Sequence, residues 1–239
     1  MAVRIAGLIL LFVACLPLHL SAKLVRGPSP WPKRFLRSAA WIVGARVDLE
    51  GQPLTSKTLV VANHTSWLDI LLLGGTGAAF VSKAEIERIK LIGWLADQNH
   101  TVYIERTART DAHAQVRQIA TALDRPKPLV VFPEGTTTSG RELLPFRPTL
   151  LDAVAPPPSG VIVRPVAIDF GDAVDQIAWH DGEPAMDNVR RVLGRRGVLP
   201  VTIRLLDPMP STNDRKQLAR EARSRIAAAL SSVTTTRRV

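Results

Sequence analysis

The sequence predicts an α/β fold: one domain with a mostly parallel central sheet flanked by helices, behind an N-terminal membrane-anchoring helix and an amphipathic helix. Three observations carry this. Six short β-rich runs alternate with helical stretches from residue 58 onward. Several of those runs are apolar almost throughout, as strands covered on both faces must be. An uncharged run of roughly 18 residues precedes them, close to the ~20 that a bilayer crossing prefers.

The apolar run is Ile5 to Ala22. Pro17 and His19 weaken its far end, so a helix lying in the interface competes with one that crosses. A cleaved signal peptide is a third reading, because Arg4 precedes the run and Ser21-Ala22 resembles a small-residue exit. Charge argues for a retained anchor. Lys23, Arg26, Lys33, Arg34, Arg37 and Arg46 follow the segment, and the positive-inside rule then keeps the rest of the chain on the cytoplasmic face, in a bacterium that of the inner membrane. Ser29-Pro30 next resembles a helix start. In WPKRFLRSAAWIVG, residues 31–44, Trp31, Phe35, Leu36, Ala39, Ile42 and Val43 share one face and the basic residues mostly another, which suits an anionic membrane surface. The expected organisation is an anchor over 1–26, an amphipathic surface helix over 27–50 and the α/β domain over 51–239.

Strands are expected at 58–63, 78–83, 101–106, 128–133, 161–170 and 201–207. Helices are expected at Ser66–Leu73, Ala84–Ala96, Asp111–Leu123 and Ser211–Ser231. The last has Leu218, Ala222, Ile226 and Leu230 spaced four apart and reads as a solvated cover helix. The order βαβαβαβ implies a mostly parallel sheet. The Pro-rich stretch 155–160 reads as a connecting loop.

Two clusters carry chemistry. In NHTSWLD, residues 63–69, His64 and Asp69 would stand roughly 140° apart on a continuous helix. They meet only if a helix begins between them. Thr65 or Ser66 can cap such a helix, and Ser66 to Asp69 has capping-box spacing. His64 would then end the strand, and Asp69 would accept its Nδ1–H and leave Nε2 as a directed base. The second cluster is VVFPEGTTTSG, residues 130–140, a buried strand that breaks at Pro133. Strand ends at the carboxyl edge of an α/β sheet are where such folds bind ligands. Gly135 permits close approach of the backbone, and Glu134 and Thr136 supply groups for a ligand's hydroxyls.

NHTSWLD, FVSKAEIERIKLIGWLADQNHTVYIER (80–106), FPEGTTTSGRELLPFR (132–147) and VIVRPVAIDF (161–170) form four blocks in order. The chain resembles the glycerolipid acyltransferases typified by lysophosphatidate acyltransferase. The resemblance spans residues 60–170 and implies the acyltransferase fold, with His64 as base and Asp69 as its orienting partner. It also implies acceptor binding by Arg106, Glu134 and Gly135, with Lys83 and Arg147 as further anion contacts. Three departures stand out. Thr137 replaces the Arg of the usual FPEGTR, Arg147-Pro148-Thr149 replaces a basic residue followed by Gly, and Lys90 stands where Pro is usual. The FPEGTT form also resembles that of lyso-ornithine lipid acyltransferases. The implied reaction moves a fatty acyl group from acyl-CoA or acyl-ACP to a lysolipid hydroxyl, 1-acyl-sn-glycerol-3-phosphate being favoured and lyso-ornithine lipid the alternative. A thioester is already activated, so no metal or other cofactor is expected.

Composition sets the remaining bounds. The chain has 239 residues, 46% of them hydrophobic, and a net charge of +10. That charge seeks polyanions, either nucleic acid or anionic lipid. No nucleic-acid recognition motif is visible and the apolar N-terminus would go unexplained, so no nucleic-acid partner is expected. The single cysteine, Cys15, excludes an internal disulfide and reads as packing. Two closer rivals are a thioesterase and a non-catalytic lipid-surface protein, for which a His–Asp pair would have no purpose.

Overall fold

The computed structural model describes residues 1–25, 27–104 and 112–236. Two helices open the chain, α1 (Ala2–Leu24) and α2 (Trp31–Val43). Strand β1 (Ala45–Glu50) follows, then β2 (Thr58–Ala62), α3 (Leu68–Gly74) and β3 (Ala79–Lys83). Next come α4 (Ala84–Glu87), α5 (Lys90–Gln98), β4 (Val102–Ile104), α6 (Ala112–Leu123) and β5 (Leu129–Val131). The chain closes with β6 (Ile162–Asp169), α7 (Val174–Ile177), α8 (Ala185–Gly194), β7 (Leu199–Leu205) and α9 (Arg215–Thr236).

The seven strands form one sheet in the order β1-β7-β6-β2-β5-β3-β4. All pairings are parallel except β6 with β7. The carboxyl ends of β2, β5 and β6 therefore share an edge with the amino ends of β1 and β7. Alternate residues of β2 divide between two cores. Leu59 and Val61 pack with α6 and α9 on one face, Val60 and Ala62 with α2, α3 and α8 on the other. Burial on both faces accounts for the continuous apolar runs.

Several elements differ from the expectations. Ala45–Glu50, placed with the amphipathic helix, is an edge strand paired in register with β7. Only Ala45 of it is buried, so it lacks a strong apolar signal. The helix expected from Ala84 to Ala96 breaks at Arg88–Ile89. Gly93 makes the break possible, since a Cβ there would lie 2.4 Å from the carbonyl oxygen of Glu87. Lys90 is the first residue of α5, a position that would equally suit the Pro of the resembled pattern. Helix α8 stands where no element was expected. Helix α9 starts at Arg215 because Asp214 caps it, its Oδ1 accepting from Lys216 and Gln217 N–H. It is also no mere cover, for Leu218, Ala222 and Ile226 are fully buried in the core.

Helix α1 is long and apolar enough to cross a membrane by length and composition. It nevertheless engages the α/β domain at both ends. Arg4 donates to the carbonyls of Val192, Leu193, Arg195 and Gly197, at and just beyond the end of α8. Phe12 packs edge-on against Phe35 of α2 and Trp94 of α5. Near the other end His19 and Lys23 both reach Gln98 of α5. The helix thus lies along the domain, and Val3, Ile9, Leu10 and Val13 remain exposed.

A core role for α9 has a measurable consequence. Leu218→Ala should destabilise the protein by about 2–5 kcal/mol, as large-to-small changes in packed cores do. A denaturant titration checks this, and a loss below about 0.5 kcal/mol would return α9 to the surface.

Candidate active site

The site forms where β2 gives way to α3. Asn63 ends the strand run and exchanges two hydrogen bonds with the Ile168 backbone of β6, at 3.0 and 2.8 Å. This fixes where the next residue projects. His64 Nδ1 lies 2.8 Å from Asp69 Oδ2. The same oxygen accepts the N–H of Thr65 at 2.6 Å and of Ser66 at 2.9 Å. Ser66 Oγ in turn accepts the N–H of Leu68 at 3.1 Å. Asp69 reaching back to Ser66 N–H is the returning half of a capping box. The helix begins between His64 and Asp69, as the five-residue spacing requires.

A carboxylate only accepts, so the proton on this bond belongs to Nδ1, which leaves Nε2 with its lone pair. Asp69 is fully buried, whereas 19% of the His64 side chain remains exposed. The imidazole lies flat on Phe132, with centroids 4.1 Å apart and planes 15° from parallel. The ring is therefore held by one hydrogen bond and one stacked face, with Nε2 turned to neither.

The FPEGTTT turn closes around this histidine. Glu134 is buried, and its two oxygens accept the N–H of His64 at 2.8 Å and of Leu144 at 2.9 Å. Each carboxylate oxygen thus meets a backbone N–H, and one of these is the N–H of His64 itself. Burial pushes its carboxyl pKa up, opposed by the two backbone N–H groups. Gly135 has φ +79°, and a Cβ there would lie 3.0 Å from the Arg147 guanidinium. Arg147 and Thr136 are exposed beside it. Lys83 is exposed at the end of β3, two strands along the same edge. Arg106 lies outside the described residues.

Thr137 and Thr138 bind inward. Thr138 N–H donates to the His64 carbonyl, and Thr137 Oγ1 donates to the Trp179 carbonyl at 3.0 Å. Trp179 N–H donates to the Thr65 carbonyl at 2.9 Å. A second strut runs through Asn188 of α8, which is fully buried. Its Oδ1 accepts from Trp67 Nε1 at 3.0 Å, and its Nδ2 donates to the Ala178 carbonyl and to Glu183. Arg191 pairs with Glu183 and completes the set. Sequence reasoning missed Phe132, Trp179 and Asn188. Only Phe132, adjoining the Pro-Glu-Gly turn, stood near a visible signal. The N–H groups of Thr65 and Ser66 are both spent on Asp69.

A mostly parallel α/β sheet with a His–Asp pair at its carboxyl edge, braced by a Phe-Pro-Glu-Gly turn, is the arrangement that the resemblance to acyltransferases implies. The chain belongs to the acyltransferase family, whose profile residues 46–169 match. It is 38% identical over 190 residues to a lyso-ornithine lipid O-acyltransferase of Pseudomonas aeruginosa, covering 77% of this chain and 72% of that one. A lyso-ornithine lipid O-acyltransferase of Brucella abortus is 33% identical over 255 residues, covering 95% and 92%. A 1-acyl-sn-glycerol-3-phosphate acyltransferase of Neisseria gonorrhoeae is 33% identical over 135 residues, which covers 56% of this chain and 52% of that one. In fold, the chain is similar to the crystal structure of the 1-acyl-sn-glycerophosphate acyltransferase of Thermotoga maritima, with a TM-score of 0.64 at 21% identity, over 85% of this chain and 78% of the other.

The two roles for Glu134 separate in one variant. Glu134→Gln keeps one acceptor oxygen but turns an NH2 group toward the other backbone N–H. If the carboxylate positions His64, stability should fall by about 1.5–3 kcal/mol, the worth of a charge-assisted hydrogen bond. A denaturant titration reads this directly. Unchanged stability with a raised KM for the lipid would mean an acceptor contact instead.

Proposed function

We propose that the protein transfers a fatty acyl chain from acyl-CoA or acyl-ACP to the free hydroxyl of a lysolipid at a membrane surface, with His64 as general base. The observation that carries this is the His64–Asp69 pair, with Nδ1 committed to the carboxylate and Nε2 left available. In the reaction Nε2 takes the hydroxyl proton while the oxygen attacks the thioester carbonyl carbon. The tetrahedral intermediate collapses, the C–S bond breaks, and the imidazolium returns the proton to the departing thiolate. Products are the acylated lipid and the free thiol. The thioester supplies the activation, so the scheme uses no metal, cofactor or acyl-enzyme.

The acceptor we favour is a lyso-ornithine-type lipid. Its headgroup carries an ammonium and a carboxylate in place of a glycerol phosphate. Two observations support it: the relatives named lyso-ornithine lipid O-acyltransferases match along most of this chain, and the residue at 137 is a threonine engaged with Trp179. The second reading is 1-acyl-sn-glycerol-3-phosphate. Arg147, exposed over Gly135, supports an anion there, and the lipid carboxylate of the first reading would satisfy it equally. Membrane attachment follows from α1. Engagement of both its ends by the same domain supports a helix lying in one leaflet over a crossing helix. The basic residues after it favour the cytoplasmic face, in a bacterium that of the inner membrane.

His64→Ala should fold normally and lose about 10²–10⁴-fold in turnover. Asp69→Asn should also be severe, because an amide can hold the wrong imidazole tautomer. The acceptor is tested by supplying labelled acyl thioester with a panel of lysolipids and identifying the lipid formed. Release of free fatty acid alone would indicate a thioesterase. Thr137→Arg should reduce activity on a lyso-ornithine lipid, because it sets a cation against a zwitterionic headgroup and removes the bond to Trp179. Improved turnover of lysophosphatidate by the same variant would favour the second reading.

A further inference from the structure

Helix α1 has a neighbour whose apolar residues the reaction scheme does not use. At the junction of α4 and α5 and in the first turn of α5, the chain exposes Ile89 at 49%, Leu91 at 61% and Ile92 at 50%. Three large aliphatic side chains in four positions, each about half in solvent, form a cluster of the kind that marks an interaction surface. None of the four residues of α4 is buried, and Gly93 alone is buried in α5. The core therefore does not account for these side chains.

Their placement identifies the partner. Helix α5 packs along α1 through Trp94 against Phe12 and through Gln98 against His19 and Lys23. Leu91 shares a helical face with Trp94 and Gln98, at spacings of three and seven, so it extends the side of α5 that adjoins α1. On α1, Ile9, Leu10 and Val13 are exposed as well. The segment also starts directly after Lys83, on the sheet edge where His64 stands. Arg88 and Lys90 flank the aliphatic residues and, with Lys83, outnumber Glu85 and Glu87. Long cations beside apolar side chains suit a headgroup layer, where their stems lie with the acyl chains and their charges reach phosphate.

We propose that the α4–α5 turn is a second membrane-contacting element, with Ile89, Leu91 and Ile92 entering the same leaflet as α1. It rests on the reading of α1 as a leaflet-bound helix. Two separated apolar contacts would fix the tilt of the domain, which one helix alone leaves free to roll. The sheet edge bearing His64 would then face the lipid layer that holds the acceptor.

The test uses the full chain with Cys15→Ala and one new cysteine, Leu10→Cys, Leu91→Cys or Asp124→Cys, each carrying a polarity-sensitive fluorophore. Asp124 is exposed and precedes β5, so it marks the opposite sheet edge. On phosphatidylcholine–phosphatidylglycerol vesicles, probes at 10 and 91 should shift to the blue and be quenched by brominated acyl chains, and the probe at 124 should not change. In the unlabelled chain, Leu91→Asp combined with Ile92→Asp should weaken vesicle partitioning at least about tenfold. Its activity on detergent-dispersed substrate should be kept. A probe at 91 that stays in water while that at 10 enters lipid would overturn the second contact and leave α1 attachment standing. If neither enters, the reading of α1 fails and the proposal with it. A blue shift at 91 that grows with protein concentration without vesicles would mean self-association and would also overturn it.

Discussion

Three hydrogen bonds converge on one oxygen of Asp69, and the rest of the site depends on that convergence. A buried carboxylate is costly unless its charge is met by donors. Here Oδ2 meets the ring of His64 and the N–H groups of Thr65 and Ser66, while Oδ1 has no partner among the described residues. The same contacts start α3, orient the imidazole and consume the first free donors of the helix. Removing the carboxylate would therefore affect a helix start and a base together. Around it, the backbone of residues 63–65 is tied to β6 by Asn63, to the 132–138 turn by Glu134 and Thr138, and to the 178–183 loop by Trp179. Held from several directions, His64 has little freedom to move, which suits the proton transfer proposed for it.

Sheet topology connects this turn to α1. Because β7 runs antiparallel to β6, its amino end lies at the carboxyl edge of the strands that build the site. Arg4 caps the end of α8 just before β7, and α1 then runs across the domain to Gln98 of α5. The apolar helix is thereby laid against the domain at both ends.

Much of this was legible in the sequence, and the exceptions share a cause. Strands covered on both faces, such as Leu59–Val61, declare themselves by unbroken apolar runs. The edge strand Ala45–Glu50 is exposed and alternates polar with apolar residues, so it passed as the tail of a helix. His64 and Asp69 could be paired because both ends of the interaction lie within one turn of chain. Trp67 and Asn188 are 121 positions apart, and no local pattern links them. The two bonds that Glu134 makes within the chain were not legible, because its partners are backbone N–H groups that carry no residue signature.

The central claim is that Asp69 holds His64 as the Nδ1–H tautomer and keeps Nε2 free for the acceptor proton. Long-range proton–nitrogen correlation NMR on histidine-labelled protein observes this directly. The account predicts a protonated Nδ1 and an unprotonated Nε2 for His64 in the neutral ring, with the pattern reversed or mixed in Asp69→Asn. A wild-type His64 that carries its proton on Nε2, or exchanges freely between tautomers, would contradict it.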